Sequence, residues 1–306
     1  MIRFVSVPTD AEQGLPPVLE VDGLTKVYGP IGPHTFERTG PDAPGGGTNL
    51  CPDTGSVVAL NNVSLKLYPG QILAVIGESG SGKSTLLKTL YLDEPPTEGS
   101  ALFRDPRLPG NTWDQAHDLF LYNPAQARRL RDRHIGIVRQ NPRLELNFNI
   151  SAGGNIAERV LAANAAELQG HPHYGDIRQR ALDLLSETQV PTARIDERPG
   201  NFSGGMQQRV QIAKALAIQP PVLLLDEITT GLDLSVQARI IDLILDLHDR
   251  LQPAILLVTH DISVVRTLAS QTIVMRYGQI VEQGLTDQVL EDPQHPYTQE
   301  LVNAAL

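Results

Sequence analysis

The chain has a single cysteine, Cys51, among 306 residues. That excludes an internal disulfide framework, fits a reducing compartment, and leaves too few thiolates for an iron–sulfur cluster, which takes about four. Long apolar runs are also missing. No stretch approaches the ~18 residues that a membrane-spanning helix needs, so no direct membrane insertion is expected, and any pore would have to come from other chains. The opening stretch MIRFVSVPTDAEQG lacks the apolar centre of a secretory signal, so a cytoplasmic location is expected. Positive charge is scarce. Lys and Arg total 25 against 35 Asp and Glu, a net charge of −10. This argues against duplex nucleic acid or an anionic membrane surface as the main partner, the arginines at 128, 129, 131 and 133 being a local exception. There is no internal repeat.

The residues present describe a soluble α/β chain. Residues 18–28 and 57–67 alternate apolar and polar like half-buried strands and read as an antiparallel hairpin. Seven Gly and five Pro between residues 29 and 57 rule out a continuous helix or strand there. A flexible surface loop is expected, in which His34 and Cys51 are too few ligands for a usual metal site. After the Pro69-Gly70 turn signal, ILAVI (72–76) is a short apolar run typical of a strand covered on both faces. It leads into a helix expected over 84–92. A basic helix near 124–132, a strand at 135–138 and a polar helical stretch over 151–200 follow, clearest over 174–188. Apolar runs at 222–225 and 254–258 then alternate with helical patterns at 235–251 and 262–269. Strands alternating with helices imply a mostly parallel sheet.

Three motifs carry chemistry. Gly77-Glu78-Ser79-Gly80-Ser81-Gly82-Lys83-Ser84 matches G-x-x-x-x-G-K-[ST], with Thr85 following. Its glycines let backbone N–H groups wrap a phosphate chain, Lys83 reaches the β- and γ-phosphates, and the Ser84 hydroxyl ligates Mg²⁺. Val222–Leu225 ends in Asp226 and Glu227, where a carboxylate can hold Mg²⁺ through water and its neighbour can act as general base. Alone, two acids after a buried strand are commonplace; beside a P-loop they gain meaning. Ser203-Gly204-Gly205-Met206-Gln207-Gln208-Arg209 opens a helix with Ser203 as its N-cap, and reads either as a well-capped helix or as a second anion site.

Taken together and in this order, the motifs resemble the ABC ATPase family, with S-G-G-M-Q-Q-R close to its signature loop. The resemblance implies a P-loop NTPase fold with an N-terminal antiparallel β subdomain and an inserted helical subdomain, built as one domain over 1–306. Its parts would be a β edge at 18–70, a nucleotide-binding core at 71–140 and 206–290, a helical subdomain at 141–205 and a tail at 291–306. It implies ATP and Mg²⁺ as ligands and a second such subunit as partner, a homodimer. Ser203, Gly204, Gly205 and Gln207 of one copy would then face the triphosphate held by the other. Gln140 matches the Q-loop glutamine (a contact to Mg²⁺ and the attacking water). Asp233 matches the D-loop, His260 the switch histidine, and Tyr28 the aromatic on which adenine stacks, the alternative for Tyr28 being an ordinary hairpin-edge aromatic. The sequence departs from the family at Ile228, usually proline, and at the 29–57 insertion directly after Tyr28.

Within the family, S-A-G-G-N-I-A-E-R (151–159), H-Y-G-D-I-R (173–178), S-V-Q-A-R (235–239) and D-P-Q-H-P-Y-T (292–298) resemble the ATP-binding subunits of carbon–phosphorus lyase systems. The resemblance implies docking on lyase core subunits and coupling of ATP hydrolysis to phosphonate breakdown, the radical cleavage lying in another subunit. ATPases of dipeptide, oligopeptide or nickel importers share the last two stretches. They usually read F-Q-D-P where this chain has Gln140-Asn141-Pro142-Arg143, and they carry a cysteine-bearing tail after the His-Pro-Tyr-Thr segment.

Overall fold

The computed structural model describes residues 14–105, 115–164 and 173–304. In chain order it begins with β1 (Leu19–Tyr28), β2 (Val57–Leu67), β3 (Ile72–Ile76), α1 (Lys83–Leu90), β4 (Glu98–Phe103) and β5 (His117–Asp118). Next come α2 (Pro124–Arg133), β6 (Ile135–Val138), α3 (Ala152–Asn164), α4 (Tyr174–Glu187), α5 (Gly204–Leu216), β7 (Val222–Asp226) and α6 (Leu234–Leu251). Last are β8 (Ala254–Val258), α7 (Ile262–Leu268), β9 (Gln271–Arg276), β10 (Gln279–Leu285), α8 (Thr286–Glu291) and α9 (Pro296–Asn303). Residues 1–122 with 254–306 form one compact unit, and 123–253 form another.

In the first unit, the alternation at 18–28 and 57–67 becomes an antiparallel pair in which Leu19 faces Leu67 and Tyr28 faces Val57. β4 pairs on the other side of β1, with Leu19 opposite Phe103, giving the order β2-β1-β4-β5. A second sheet places β3 between β8 and β9, parallel to both. All five residues of β3 are buried, because an inner parallel strand is covered on both faces. Val75 lies opposite Val258, so the carboxyl ends of β3 and β8 reach the same sheet edge. That edge carries the phosphate loop.

In the second unit, β6 and β7 are parallel, from Ile135 opposite Val222 to Val138 opposite Leu225. α2 starts on a reciprocal cap: Asn123 accepts from the Gln126 amide, the Gln126 side chain accepts from the Asn123 amide, and Pro124 sits at the first helical position. α6 buries Ile240, Leu243, Ile244 and Leu247 as a single stripe. The helical stretch expected at 141–205 lies in this unit, together with β6, β7 and α6.

Two expectations are corrected, and one stretch without an expectation is filled in. The helix after the P-loop runs 83–90 and not 84–92; Leu92 adopts a left-handed φ of 60° and donates its amide to the Thr89 carbonyl, which ends it. β9, β10 and α8 occupy a stretch whose pattern gave no signal. Their marker is Tyr277-Gly278, with φ of 46° and 81°, a two-residue hairpin turn with both residues left-handed. Third, the 29–57 insertion has no continuous element, as expected, but it is packed and not loose. Thr35, Thr39, Ala43 and Cys51 are buried. Gly40 and Thr48 exchange both backbone hydrogen bonds, at 2.6 and 3.1 Å, and the Cys51 amide donates to the Ser56 carbonyl at 2.8 Å. His34 is exposed and pairs with Glu37, apart from the buried cysteine.

Cys51 is 0% exposed and is the chain's only thiol, so it reports on this loop directly. A thiol reagent added to native protein is expected to label it at least about tenfold more slowly than in denaturant, since reaction needs access to the thiolate. Labelling at the denatured rate would show an open loop.

Candidate nucleotide site

β3 delivers the chain to Gly77, where only glycine is tolerated. Its φ is 150°, and a Cβ there would lie 2.2 Å from the Met275 carbonyl oxygen. At Gly82, with φ of 107°, a Cβ would come within 2.3 Å of the Ala59 carbonyl oxygen. Between these two points the loop folds back on itself. Ser81 donates its amide to the Glu78 carbonyl at 3.2 Å. Lys83 is buried, and its ammonium donates to the Gly77 carbonyl at 2.7 Å, to the Glu78 carbonyl at 2.8 Å and to the Ser81 hydroxyl at 3.4 Å. Glu78, Ser79, Gly80 and Ser84 are exposed, and Thr85 is half-buried. Gly82 caps α1 with no side-chain acceptor, so the positive end of the helix opens into the loop. A cradle of this shape, with a lysine at its floor and a hydroxyl at its rim, fits a triphosphate.

Two supports of the loop had no sequence signal. The Gly278 amide, in the β9–β10 turn, donates to the Ser81 carbonyl at 3.0 Å. Asn49, in the insertion, donates its side-chain amide to the Gly80 carbonyl at 3.3 Å. Each partner is remote in sequence, so only the fold reveals it.

Tyr28 ends β1 and keeps 39% of its surface exposed. Its hydroxyl donates to the Glu94 carboxylate. Burial, then this hydrogen bond, push the phenol pKa up, while the bond from Tyr28 holds the Glu94 carboxyl below its usual range. The Lys26 ammonium lies 5.1 Å from the ring centroid. His260, exposed, follows β8; the preceding Thr259 donates its amide to the Val75 carbonyl at 3.2 Å, which puts this turn beside the end of β3. Asp261 caps α7 by accepting from the Ser263 and Val264 amides.

In the second unit, Asp226 closes β7 half-buried, and Glu227 takes a left-handed φ of 47°. That conformation costs a non-glycine residue about 1–2 kcal/mol. The Glu227 carboxylate accepts from the Thr230 hydroxyl at 3.0 Å. Ile228, where the family has proline, is 2% exposed and fills the core, while the turn is made at Glu227. Gln140 is exposed two residues past β6. Its buried neighbour Arg139 pairs with Glu145 at 2.7 Å, Gln208 donates to the Arg139 carbonyl at 3.4 Å, and Lys214 donates to the Glu145 carbonyl at 2.7 Å. Thus α5 holds both ends of the segment that carries Gln140.

Ser203 is the N-cap of α5 and accepts from the Met206 amide at 3.4 Å. A Cβ on Gly205 would lie 2.5 Å from a Val236 methyl, whereas Gly204 has ordinary room. Gln207 turns into its own loop, donating to the Pro199 and Phe202 carbonyls at 3.0 Å each. Asp233 caps α6 and accepts from the Ser235 hydroxyl at 2.6 Å and the Val236 amide at 3.0 Å; the serine bond is the main reason its carboxyl titrates below the usual range. Among the described residues no group of three or more His, Cys, Asp or Glu forms a metal cage. Mg²⁺ keeps several waters and is held by one or two protein oxygens plus substrate phosphates.

A family profile described as ABC transporter matches residues 60–230, which hold the P-loop, Gln140, the signature loop, Asp226 and Glu227. The chain belongs to this family: it is a P-loop, Mg²⁺-dependent ATPase with ATP and Mg²⁺ as its ligands. It is 42% identical over 290 residues to the ATP-binding protein PhnK of Escherichia coli (strain K12), whose name assigns it to phosphonates utilization, covering 95% of this chain and 98% of PhnK. It is 38% identical over 248 residues to the dipeptide transport ATP-binding protein DppF of the same organism, covering 81% of this chain and 69% of DppF. The dimeric, post-hydrolysis structure of the ATP-binding cassette MJ0796 with ADP and Pi aligns at a TM-score of 0.69 and 26% identity, covering 88% of this chain and 98% of that one.

Substituting Gly82→Ala adds one methyl against the Ala59 carbonyl at a left-handed position. The expected outcome is a folded protein with at least about tenfold weaker ATP binding, a loss of roughly 1.4 kcal/mol, read by titration with a fluorescent ATP analogue. Wild-type affinity would show that the loop does not need this geometry.

Proposed function

We propose that this chain is the ATP-binding and ATP-hydrolysing subunit of a carbon–phosphorus lyase complex, coupling nucleotide turnover to phosphonate breakdown in the cytoplasm. The observation that carries this reading is the end-to-end likeness to PhnK, which runs over 98% of that protein, against 69% of the peptide-importer ATPase. The sequence pattern after Gln140 agrees with it.

In this reading Gly77–Thr85 cradle the triphosphate and Tyr28 carries the adenine. Ser84, Gln140 and Asp226 would hold Mg²⁺, which when bound neutralises charge on the β- and γ-phosphates. Glu227 takes the proton of the attacking water, its carboxylate being held by the Thr230 hydroxyl. His260 contacts the γ-phosphate. Lys83 exchanges its bonds to the Gly77 and Glu78 carbonyls for phosphate oxygens, so the loop is preorganised around a cation before nucleotide arrives. Ser203, Gly204 and Gly205, with Asp233 at the interface, act from a second copy, while Gln207 contributes by bracing the signature loop. Dimer closure on ATP and release on hydrolysis form the two-state element that works on the lyase core. The single domain has a β edge at 18–70, a core at 71–140 and 206–290, a helical part at 141–205 and a tail at 291–306.

Changing Glu227→Gln should lower ATP turnover at least about 100-fold while leaving binding intact, and size-exclusion chromatography with ATP should show an accumulated dimer. Unchanged turnover would remove Glu227 from the catalytic role. For the partner, native purification should recover soluble lyase-core subunits; recovery of two multi-spanning membrane proteins would point instead to an importer.

A further inference from the structure

The His-Pro-Tyr-Thr segment served above only to compare subfamilies, yet it reaches the nucleotide site. His295 caps α9, accepting from the Tyr297 amide at 3.1 Å, and Pro296 occupies the first helical position. The Glu282 carboxylate accepts from the Gln294 and His295 amides at 2.8 and 3.0 Å, which fixes the approach to the helix. Tyr297 is 2% exposed. The Arg276 guanidinium lies 4.4 Å from its ring centroid and 5.3 Å from that of Tyr277, so two tyrosine rings flank one cation. From this fixed position the Tyr297 hydroxyl accepts a hydrogen bond from the Glu78 amide at 2.9 Å, across 219 residues of sequence.

The residue it holds is central to the loop. The Glu78 carbonyl accepts from the Lys83 ammonium at 2.8 Å and from the Ser81 amide at 3.2 Å. The preceding Gly77 carbonyl accepts from the same ammonium at 2.7 Å. The Glu78 amide is therefore the remaining polar group of that residue's backbone, and it is engaged by the tail and not by the loop itself.

We infer that Tyr297 is a positioning residue for nucleotide binding: its buried hydroxyl sets the orientation of the loop at Glu78, and through it the placement of Lys83. It acts through the loop and does not touch the substrate. Its contribution lies in preorganising the site, so it affects capture of ATP more than the chemical step. The inference needs only the ATPase activity and is independent of the phosphonate reading.

The test is Tyr297→Phe in the full chain, which keeps the ring and its stacking and removes one acceptor. KM for ATP, and Kd for a fluorescent ATP analogue, should rise about 2- to 12-fold, the equivalent of a ~0.5–1.5 kcal/mol hydrogen bond, with kcat within about twofold. A role confined to packing would lower the melting temperature without separating KM from kcat, and that result, or an unchanged KM, overturns the proposal. In the wild type, NMR-detected exchange of the Glu78 amide should be slow in the nucleotide-free protein; exchange at the unprotected rate overturns it as well, whatever the variant does.

Discussion

The structure depends on how β3 ends. A fully buried parallel strand must release the chain into solvent between two carbonyls, those of Met275 and Ala59, with no space for a side chain at either entry or exit. Glycine at 77 and 82 satisfies that steric constraint, and its positive φ lets the loop fold back on itself. An uncapped helix start would repel a cation, yet Lys83 is held there by carbonyls of the same loop. The loop thus holds a buried ammonium at the end of a buried strand, and an anion of high charge is what completes it.

Positive φ at non-glycine residues marks another site where local preference is overridden. Glu227 bends at the end of β7 although a buried Ile228 follows and no proline enforces the turn. The strain is offset by the buried β6–β7 pair and by the Thr230 hydroxyl on the carboxylate. With Ile228 in place of the family's usual proline, the turn is made at Glu227 itself. The segment with Gln140 is handled differently: it is exposed and irregular, but Arg139, Glu145, Gln208 and Lys214 tether both its ends to α5. A shift of α5 would therefore be carried to Gln140, linking signature helix and Q-loop within one unit.

What the sequence made legible follows from the range of the forces involved. β1, β2, β3, α2, β6 and α6 are set by local alternation, periodicity and capping, and each could be read within a few residues of its bounds. The P-loop was legible because its chemistry is contiguous. Gln207 was legible as part of the signature loop, but its bonds to the Pro199 and Phe202 carbonyls were not. β9 and β10 were missed because their turn, Tyr277-Gly278, lacks the Asn-Gly or Asp-Gly that usually flags a tight hairpin. Asn49, Gly278 and Tyr297 could not be found at all from local pattern, because each meets the loop through a tertiary contact.

The insertion after Tyr28 shows why composition alone misjudged a segment. Gly and Pro report that regular hydrogen bonding is interrupted; they say nothing about whether small side chains can still pack. Here Thr35, Thr39, Ala43 and Cys51 turn inward while backbone pairs close the ends, so the segment holds a shape without helix or strand. That shape matters because Asn49 extends from it to the Gly80 carbonyl. A loose loop could make this bond only by losing conformational entropy on each encounter. A packed one presents the amide already in place, so the insertion reads as part of the support of the phosphate loop.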